Sequence, residues 1–236
     1  MEYVTLKNSD LKVSRFCMGG CPMGGYGWGD VQEKELIDAI HTALDEGVNF
    51  FDTSDTYGLG QSEITLGKGL GNHREDVVIA SKFGVRVTPN GTVYDNSPDY
   101  IQEALENSLK RLGTDYVDIY IIHYRDEKTP ISDVVGKLIE LRNAGKIRYF
   151  GLSNIYEETM DEIRPYKDLF VSCQNEYSLA TRKYEKDLLL QASELGVSPT
   201  TWGSLGQGIL TGKYTRENAV FEKNDRRSRD IYVNFH

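Results

Sequence analysis

Short runs rich in β-branched and aromatic residues alternate along this chain with longer segments whose apolar positions recur every three to four residues. The strand-like runs cover residues 16–18, 49–52, 77–82, 117–123, 149–153, 171–176 and 197–202. Helical spacing is plain in Leu36, Ile37, Ile40, Ala43 and Leu44, and again in Ile101, Leu105, Leu109 and Leu112. It returns in Ile131, Val134, Val135, Leu138 and Leu141, and in Leu188, Leu189, Ala192 and Leu195. Segments 62–70 and 156–164 carry a weaker form of the same pattern. Gly47, Gly113, Gly145 and Gly196 each stand between a helix and a strand, where a left-handed C-terminal cap favours a residue without Cβ. Ahead of the first alternation, residues 3–6 and 12–14 flank Asn8-Ser9-Asp10 as a small hairpin.

Strands alternating with helices form a parallel sheet covered by helices, either doubly wound or closed into a barrel. A doubly wound dinucleotide fold places G-x-G-x-x-G directly between its first strand and helix. The glycine-rich stretch from Gly19 to Gly29 lacks that spacing and reads as a permissive loop. The polar residues decide between the two. Asp52, Lys82, His123, the pair Ser153-Asn154 and the pair Gln174-Asn175 fall at the C-terminal ends of five successive strands. In a (β/α)8 barrel those ends meet on one rim, where such folds build their sites. The chain is therefore expected to be one α/β domain over residues 1–236, a TIM barrel with an N-terminal β-hairpin.

Composition narrows the chemistry. The net charge is −9 with no basic stripe along a helix, which argues against a nucleic-acid partner. The basic knot Arg226-Arg227-Ser228-Arg229 reads as a solvated loop. Three cysteines, Cys17, Cys21 and Cys173, and four scattered histidines give no zinc-like cluster, so no metal is expected and the thiols read as reduced. No run of about eighteen apolar residues marks a membrane span, and the first residues lack the pattern of a secretory signal. A cytoplasmic protein without membrane insertion is expected, with oligomerisation open.

The rim residues match the needs of carbonyl reduction. Hydride reaches the carbonyl carbon, charge grows on oxygen, and a positioned acid must protonate it. Tyrosine, with an ordinary pKa of about 10, is a poor acid until an adjacent ammonium stabilises the phenolate. Tyr57, Lys82, Asp52 and His123 supply the phenol, the ammonium, its carboxylate partner and an imidazole to orient the substrate. Each residue alone has a plainer reading. Asp52 with Lys82 is compatible with a structural ion pair, and His123 with a packed structural histidine. Ser153-Asn154 also suits a cap for the following helix, and Trp202 ordinary packing. Glu63 reads as support for the second helix and stays outside the catalytic set.

In combination the motifs are specific. The stretch from Asn49 to Gly58, followed by Ser62-Glu63, resembles the first signature of the aldo-keto reductases. Ala80-Ser81-Lys82 and Ile121-Ile122-His123 match that family's lysine and histidine positions. The resemblance implies an NADP(H)-dependent oxidoreductase that reduces an aldehyde or ketone to an alcohol. It assigns Ser153, Asn154 and Gln174 to the nicotinamide carboxamide and Trp202 to the nicotinamide ring. Gly203, Leu205, Gly206 and Lys213 fall in the loop over the pyrophosphate, and Gly20 is counted with the cofactor residues. Trp28 and Tyr124 are assigned to a pocket for a small carbonyl substrate. The loops resemble the bacterial and potassium-channel β-subunit branches, so a nucleotide-binding regulatory subunit with little turnover is the alternative. After Trp202 no eighth strand or helix is found, only the fragment Ile231-Tyr232-Val233-Asn234-Phe235, nor the basic segment that grips the 2′-phosphate in the family. As a barrel, the sequence is expected to be C-terminally incomplete.

Overall fold

The computed structural model describes residues 1–25, 27–28, 30–215, 217–223 and 225–228. The fragment at 231–235 lies outside the described residues. An antiparallel hairpin, β1 (Tyr3–Thr5) and β2 (Lys12–Ser14), opens the chain. The first three strands of a parallel sheet follow: β3 (Met18–Gly19), β4 (Phe50–Asp52) and β5 (Val78–Phe83). A second antiparallel hairpin, β6 (Val85–Thr88) and β7 (Gly91–Tyr94), then stands out on the surface. Four more parallel strands complete the sheet: β8 (Val117–Ile122), β9 (Ile147–Ser153), β10 (Phe170–Glu176) and β11 (Ser198–Trp202). The spatial order of the seven, β11-β10-β9-β8-β5-β4-β3, follows the chain order in reverse. The helices between them are α1 (Glu33–Asp45), α2 (Gln61–Leu70), α3 (Pro98–Leu112), α4 (Ile131–Asn143), the short α5 (Met160–Ile163) and α6 (Glu185–Leu190).

The sheet curls into a nearly closed barrel. Gln174 on β10 hydrogen-bonds Asp52 on β4 at 2.7 Å, although the two strands stand four places apart in the sheet. In a flat sheet, neighbours about 4.8 Å apart would separate them by roughly 19 Å. The two faces of the strands carry separate cores. Phe51, Ile79, Tyr120, Ile122, Phe150 and Leu152 pack outward under the helices, against Ile40, Leu66, Leu105 and Leu138. Phe50, Val78, Ala80, Ile119, Ile121 and Val171 fill the interior. Leu6, Leu11 and Val13 of the N-terminal hairpin join that interior cluster and plug the bottom of the barrel. Each side chain of this size contributes about 1.5–3 kcal/mol on full burial.

The sequence pattern locates most of this and misplaces some of it. The helices end where the glycines predict, with Gly47, Gly113, Gly145 and Gly196 all at positive φ between 65° and 80°. The first barrel strand is two residues further on than expected, at Met18–Gly19, and Phe16 is exposed. The segment at 156–164 is no single helix: 3-10 turns at Glu157–Thr159 and Arg164–Leu169 flank the one-turn α5. After α6 the coil widens to a π-type turn over Gln191–Leu195. No hydrophobic alternation along residues 85–94 foretells the β6–β7 hairpin. No eighth barrel strand occurs among the described residues, and β3 and β11 stand at the two ends of the sheet. Nor does any helix among them have the length and apolarity to cross a membrane.

Candidate active site

Strand periodicity delivers the polar residues to one place. Phe50 and Asp52 share a face of β4, as do Val78, Ala80 and Lys82 on β5. Ile119 and Ile121 continue to His123, one residue past β8. Each column is apolar until its last member, so the polar groups cap the interior core at the C-terminal rim. On β10 the register shifts between Phe170 and Ser172, which lets Val171 and Gln174 both face inward. Tyr57 reaches the rim from the loop after β4. That loop presses so close to the glycine-rich segment that a Cβ on Gly58 would lie 2.0 Å from the carbonyl oxygen of Gly24. Only a glycine pair allows this approach.

Lys82 is buried and spends its three N–H groups on three acceptors. They are Asp52 Oδ1 at 2.6 Å, the Thr53 carbonyl at 2.8 Å and the Tyr57 hydroxyl at 3.2 Å. Because the ammonium donates to the phenol oxygen, the phenol hydrogen is left to point elsewhere. Asp52 is held from the other side by the Gln174 amide. The His123 ring stands edge-on to Tyr57, with centroids 6.1 Å apart. Its Nδ1 is buried without a hydrogen-bond partner among the described residues. Burial first, and then Lys82, hold this imidazole well below its usual pKa, so it is neutral. The tautomer protonated on Nε2 avoids an orphaned buried N–H at Nδ1.

The electrostatics correct one expectation. Burial pulls Lys82 down, but Asp52 and Tyr57 together raise it above its ordinary pKa, so it stays charged. Tyr57, however, is raised and not lowered: burial outweighs the pull of Lys82, and Asp52 adds to the rise. The phenol keeps its proton, and Lys82 only limits the penalty that burial imposes.

The residues assigned to the nicotinamide gather beside this cluster. Asn154 N donates to the Gln174 carbonyl at 2.9 Å, and the Ser153 hydroxyl donates to the same oxygen at 3.2 Å. Asn154 Nδ2 donates to the His123 carbonyl and to Ser153 Oγ, at 3.1 and 3.0 Å, with Asn154 in the left-handed region at φ +54°. These two residues do not cap the next helix, because Tyr156 occupies the cap position and its N–H donates to Thr159 Oγ1. Trp202 ends β11 at 40% exposure. Beyond it, Gly206 N donates to the Gly203 carbonyl, and Gln207, absent from the expected set, ties the loop to β10 through Glu176 at 3.0 Å. Leu205 and Lys213 are exposed. The donor set fits a carboxamide: three polar residues joined by hydrogen bonds, with an exposed indole on the neighbouring strand. Gly20 is tied to the scaffold. Its N–H donates to the Asp52 carbonyl at 2.6 Å and its own carbonyl accepts from Ser62 Oγ.

On the substrate side the hairpin β6–β7 joins the residues expected there. Tyr124 stacks on Tyr94 at 5.1 Å and tilts against His123 at 5.0 Å, so the unpredicted hairpin supplies part of the rim. Asn96 staples that hairpin to the loop after β8, donating to the Tyr124 carbonyl and accepting from Arg125 and the Asp126 N–H. Nothing in the sequence marks it. An asparagine within the polar turn Asp95-Asn96-Ser97 looks like any solvated loop residue, and only its complete burial shows otherwise. Trp28 packs under Arg226 and Arg227, with no ring contact to Tyr57 or His123 among the described residues. The basic knot is thus not simply solvated. Arg227 pairs with Asp225 and lies over Trp28, Tyr214 and Phe221, because these rings and the carboxylate offer a partly buried seat. Arg229 lies outside the described residues. Among the described residues no group of acidic, histidine or cysteine side chains is arranged to hold a metal.

A model of the aldo/keto reductase family matches residues 15–235. The aldo-keto reductase YhdN of Bacillus subtilis is 38% identical over 232 residues, which are 98% of this chain and 70% of that protein. The NADH-specific methylglyoxal reductase of Escherichia coli is 34% identical over 92% of this chain and 71% of its own length. Among solved structures, an aldo-keto reductase from Klebsiella pneumoniae in complex with NADPH superposes with a TM-score of 0.75 at 28% identity. That match covers 88% of this chain and 70% of the other.

Proposed function

Since the chain belongs to the aldo/keto reductase family, we propose that it reduces an aldehyde or ketone to an alcohol with NADP(H), with Tyr57 as the proton donor. The observation that carries this reading is the ammonium of Lys82, which holds Asp52 and Tyr57 at once and leaves the phenol hydrogen uncommitted among the described residues. Nicotinamide, when bound, supplies the hydride. The chain's own residues supply the rest. Ser153, Asn154 and Gln174 would hold the carboxamide, and Trp202, exposed at the end of its strand, would take the ring. Gly203, Leu205, Gly206 and Lys213 would hold the pyrophosphate. Neutral His123 orients the carbonyl oxygen through Nε2–H. As charge grows on that oxygen, Tyr57 passes its proton across, and Lys82 stabilises the phenolate left behind. Tyr124, backed by Tyr94, forms one wall for a small carbonyl substrate. We place this activity in the cytoplasm.

The test is direct. Purified protein is mixed with a panel of small, aromatic and sugar aldehydes and with NADPH or NADH in separate assays. Loss of nicotinamide absorbance matched by alcohol formation is the expected result, faster with NADPH. Preference for NADH, as the name of the Escherichia coli relative suggests for that protein, would correct the cofactor alone. Tight nucleotide binding with no turnover on any carbonyl would overturn the reading.

A further inference from the structure

Gln174 stands between the nicotinamide cluster and the acid–base cluster. Its backbone carbonyl accepts from Ser153 and Asn154, while its side-chain Nε2 donates to Asp52 Oδ2 at 2.7 Å. Asp52 Oδ1 in turn accepts from Lys82, and Lys82 donates to the Tyr57 hydroxyl. The three bonds form an unbroken chain: Gln174, Asp52, Lys82, Tyr57. Gln174 is 7% exposed and Lys82 1%, so water does not readily replace these partners. An amide nitrogen carries two hydrogens and the amide oxygen can accept. One hydrogen is on Asp52, and Oε1 takes no hydrogen bond from the described residues.

We propose that Gln174 is a positioning residue for the proton donor, linking occupancy of the carboxamide site to the acidity of Tyr57 through Asp52 and Lys82. The physical step is charge dispersal. A donor on Oδ2 draws negative charge away from the Oδ1 side of the carboxylate. With that donor in place, Asp52 disfavours a phenolate at Tyr57 less strongly, and its orientation toward Lys82 is fixed. When a carboxamide engages the free edge of Gln174, the amide is polarised and the donor on Asp52 strengthens. Binding and acidity are then coupled, and by linkage the coupling runs both ways. The inference rests on the reading of Tyr57 as proton donor for its kinetic consequence, but the Gln174–Asp52 link itself can be tested without any turnover.

Two variants separate the alternatives. Gln174→Leu removes the donor at nearly constant volume. Gln174→Glu keeps the shape, repels Asp52 when ionised, and restores a donor when protonated. In the protein without added cofactor, the carboxyl carbon of Asp52 is followed by NMR at one neutral pH. Its signal is expected to move in Gln174→Leu, because the hydrogen bond to Oδ2 has been lost. An unchanged signal overturns the proposal, whatever the enzyme does. With saturating nicotinamide cofactor, the pH profile of kcat supplies the second readout. Gln174→Leu is expected to lose about tenfold in kcat at neutral pH, with the limb assigned to Tyr57 displaced upward. Gln174→Glu should regain activity as pH falls, and Gln174→Leu should not. A rise in cofactor Kd with an unshifted kcat profile would show that Gln174 only binds, and would also overturn the coupling. Absence of turnover in the unaltered protein, with the Asp52 carboxyl signal still moved in Gln174→Leu, would instead sink the reductase reading and leave the structural link standing.

Discussion

Asp118 and Asp52 are both carboxylates held by cations in the wall of the same barrel, and their surroundings differ in one respect. Asp118, near the start of β8, is fully buried and accepts from Arg74, Arg148 and the Ile79 N–H at 2.8–2.9 Å. Arg74 goes on to the Val77 and Tyr116 carbonyls and stacks over the Tyr116 ring at 4.0 Å. Those bonds end on the scaffold. At the opposite rim, Lys82 gives one of its three bonds to a phenol whose hydrogen meets no acceptor among the described residues. Buried charge is common to both ends. What marks the upper one is a hydrogen-bond chain that runs from a carboxylate through an ammonium to a phenol.

The largest effect expected from this contrast is on rate. Tyr57→Phe removes the hydroxyl and leaves the ring against His123 and Lys82. Turnover should fall by about 10²–10⁴, the usual worth of a positioned proton donor, with thermal stability close to that of the unaltered protein. Nicotinamide affinity, followed by quenching of tryptophan fluorescence, should hold within about threefold. Undiminished turnover would remove Tyr57 from the mechanism. At the lower end the outcome should invert. Asp118→Ala strands Arg74 and Arg148 and is expected to cost about 3 kcal/mol of stability, read as a lower urea midpoint. Activity per folded molecule should be unchanged, and a large loss of kcat there would erase the distinction between the ends.

A third carboxylate sharpens the comparison through pH. Asp55, two residues before Tyr57, accepts from Ser54 at 3.0 Å and has no cation in hydrogen-bond contact among the described residues. Burial, and then the negative charge of Glu63, push its carboxyl up to about 7, against the weaker pull of Arg111. A folded-state pKa above the unfolded one means that the native state binds the proton more tightly. The associated stability is full at low pH and is lost as pH rises through about 7. Asp55→Asn removes that loss. At pH 8 it should be more stable than the parent by about 1–2 kcal/mol, discounted for the partial exposure of the group, and the advantage should vanish by about pH 4. Chemical denaturation at three pH values checks the slope, and an advantage independent of pH would show that titration is not its source.

How much of this was legible beforehand follows from which forces write themselves into sequence. The columns Phe50–Asp52, Val78–Lys82 and Ile119–His123 were readable because a period of two with a polar last member has a single geometric outcome in a barrel. Gly47 and Gly113 were readable because positive φ selects glycine. The β6–β7 hairpin was not, since Val87 and Val93 are exposed and no buried face imposes an alternation. The weakened acidity of Tyr57 was also hidden. Its sign depends on how deeply the phenol is buried, and a list of charged neighbours does not contain depth. The Gln174–Asp52 bond joins residues 122 positions apart, so it exists only once the sheet has curled.

The smallest predicted effect concerns that hidden hairpin. Tyr94 is half exposed, and its ring contact is with Tyr124, not with Tyr57 or Lys82. Removing it by Tyr94→Ala should therefore leave the hydrogen-bond chain at the rim intact. An aromatic pair contributes about 0.5–1.5 kcal/mol beyond burial, so loss of this backing for Tyr124 should raise KM by about two- to tenfold. Because Asn96 still staples the loop to the hairpin base at 3.0 Å, the backbone of Tyr124 should not move, and kcat should stay within about twofold. Steady-state kinetics on the best carbonyl of the panel separates the two constants. A fall in kcat as large as the rise in KM would mean that the wall acts on the transition state, and the hairpin would then belong with Tyr57 on the catalytic side of the comparison.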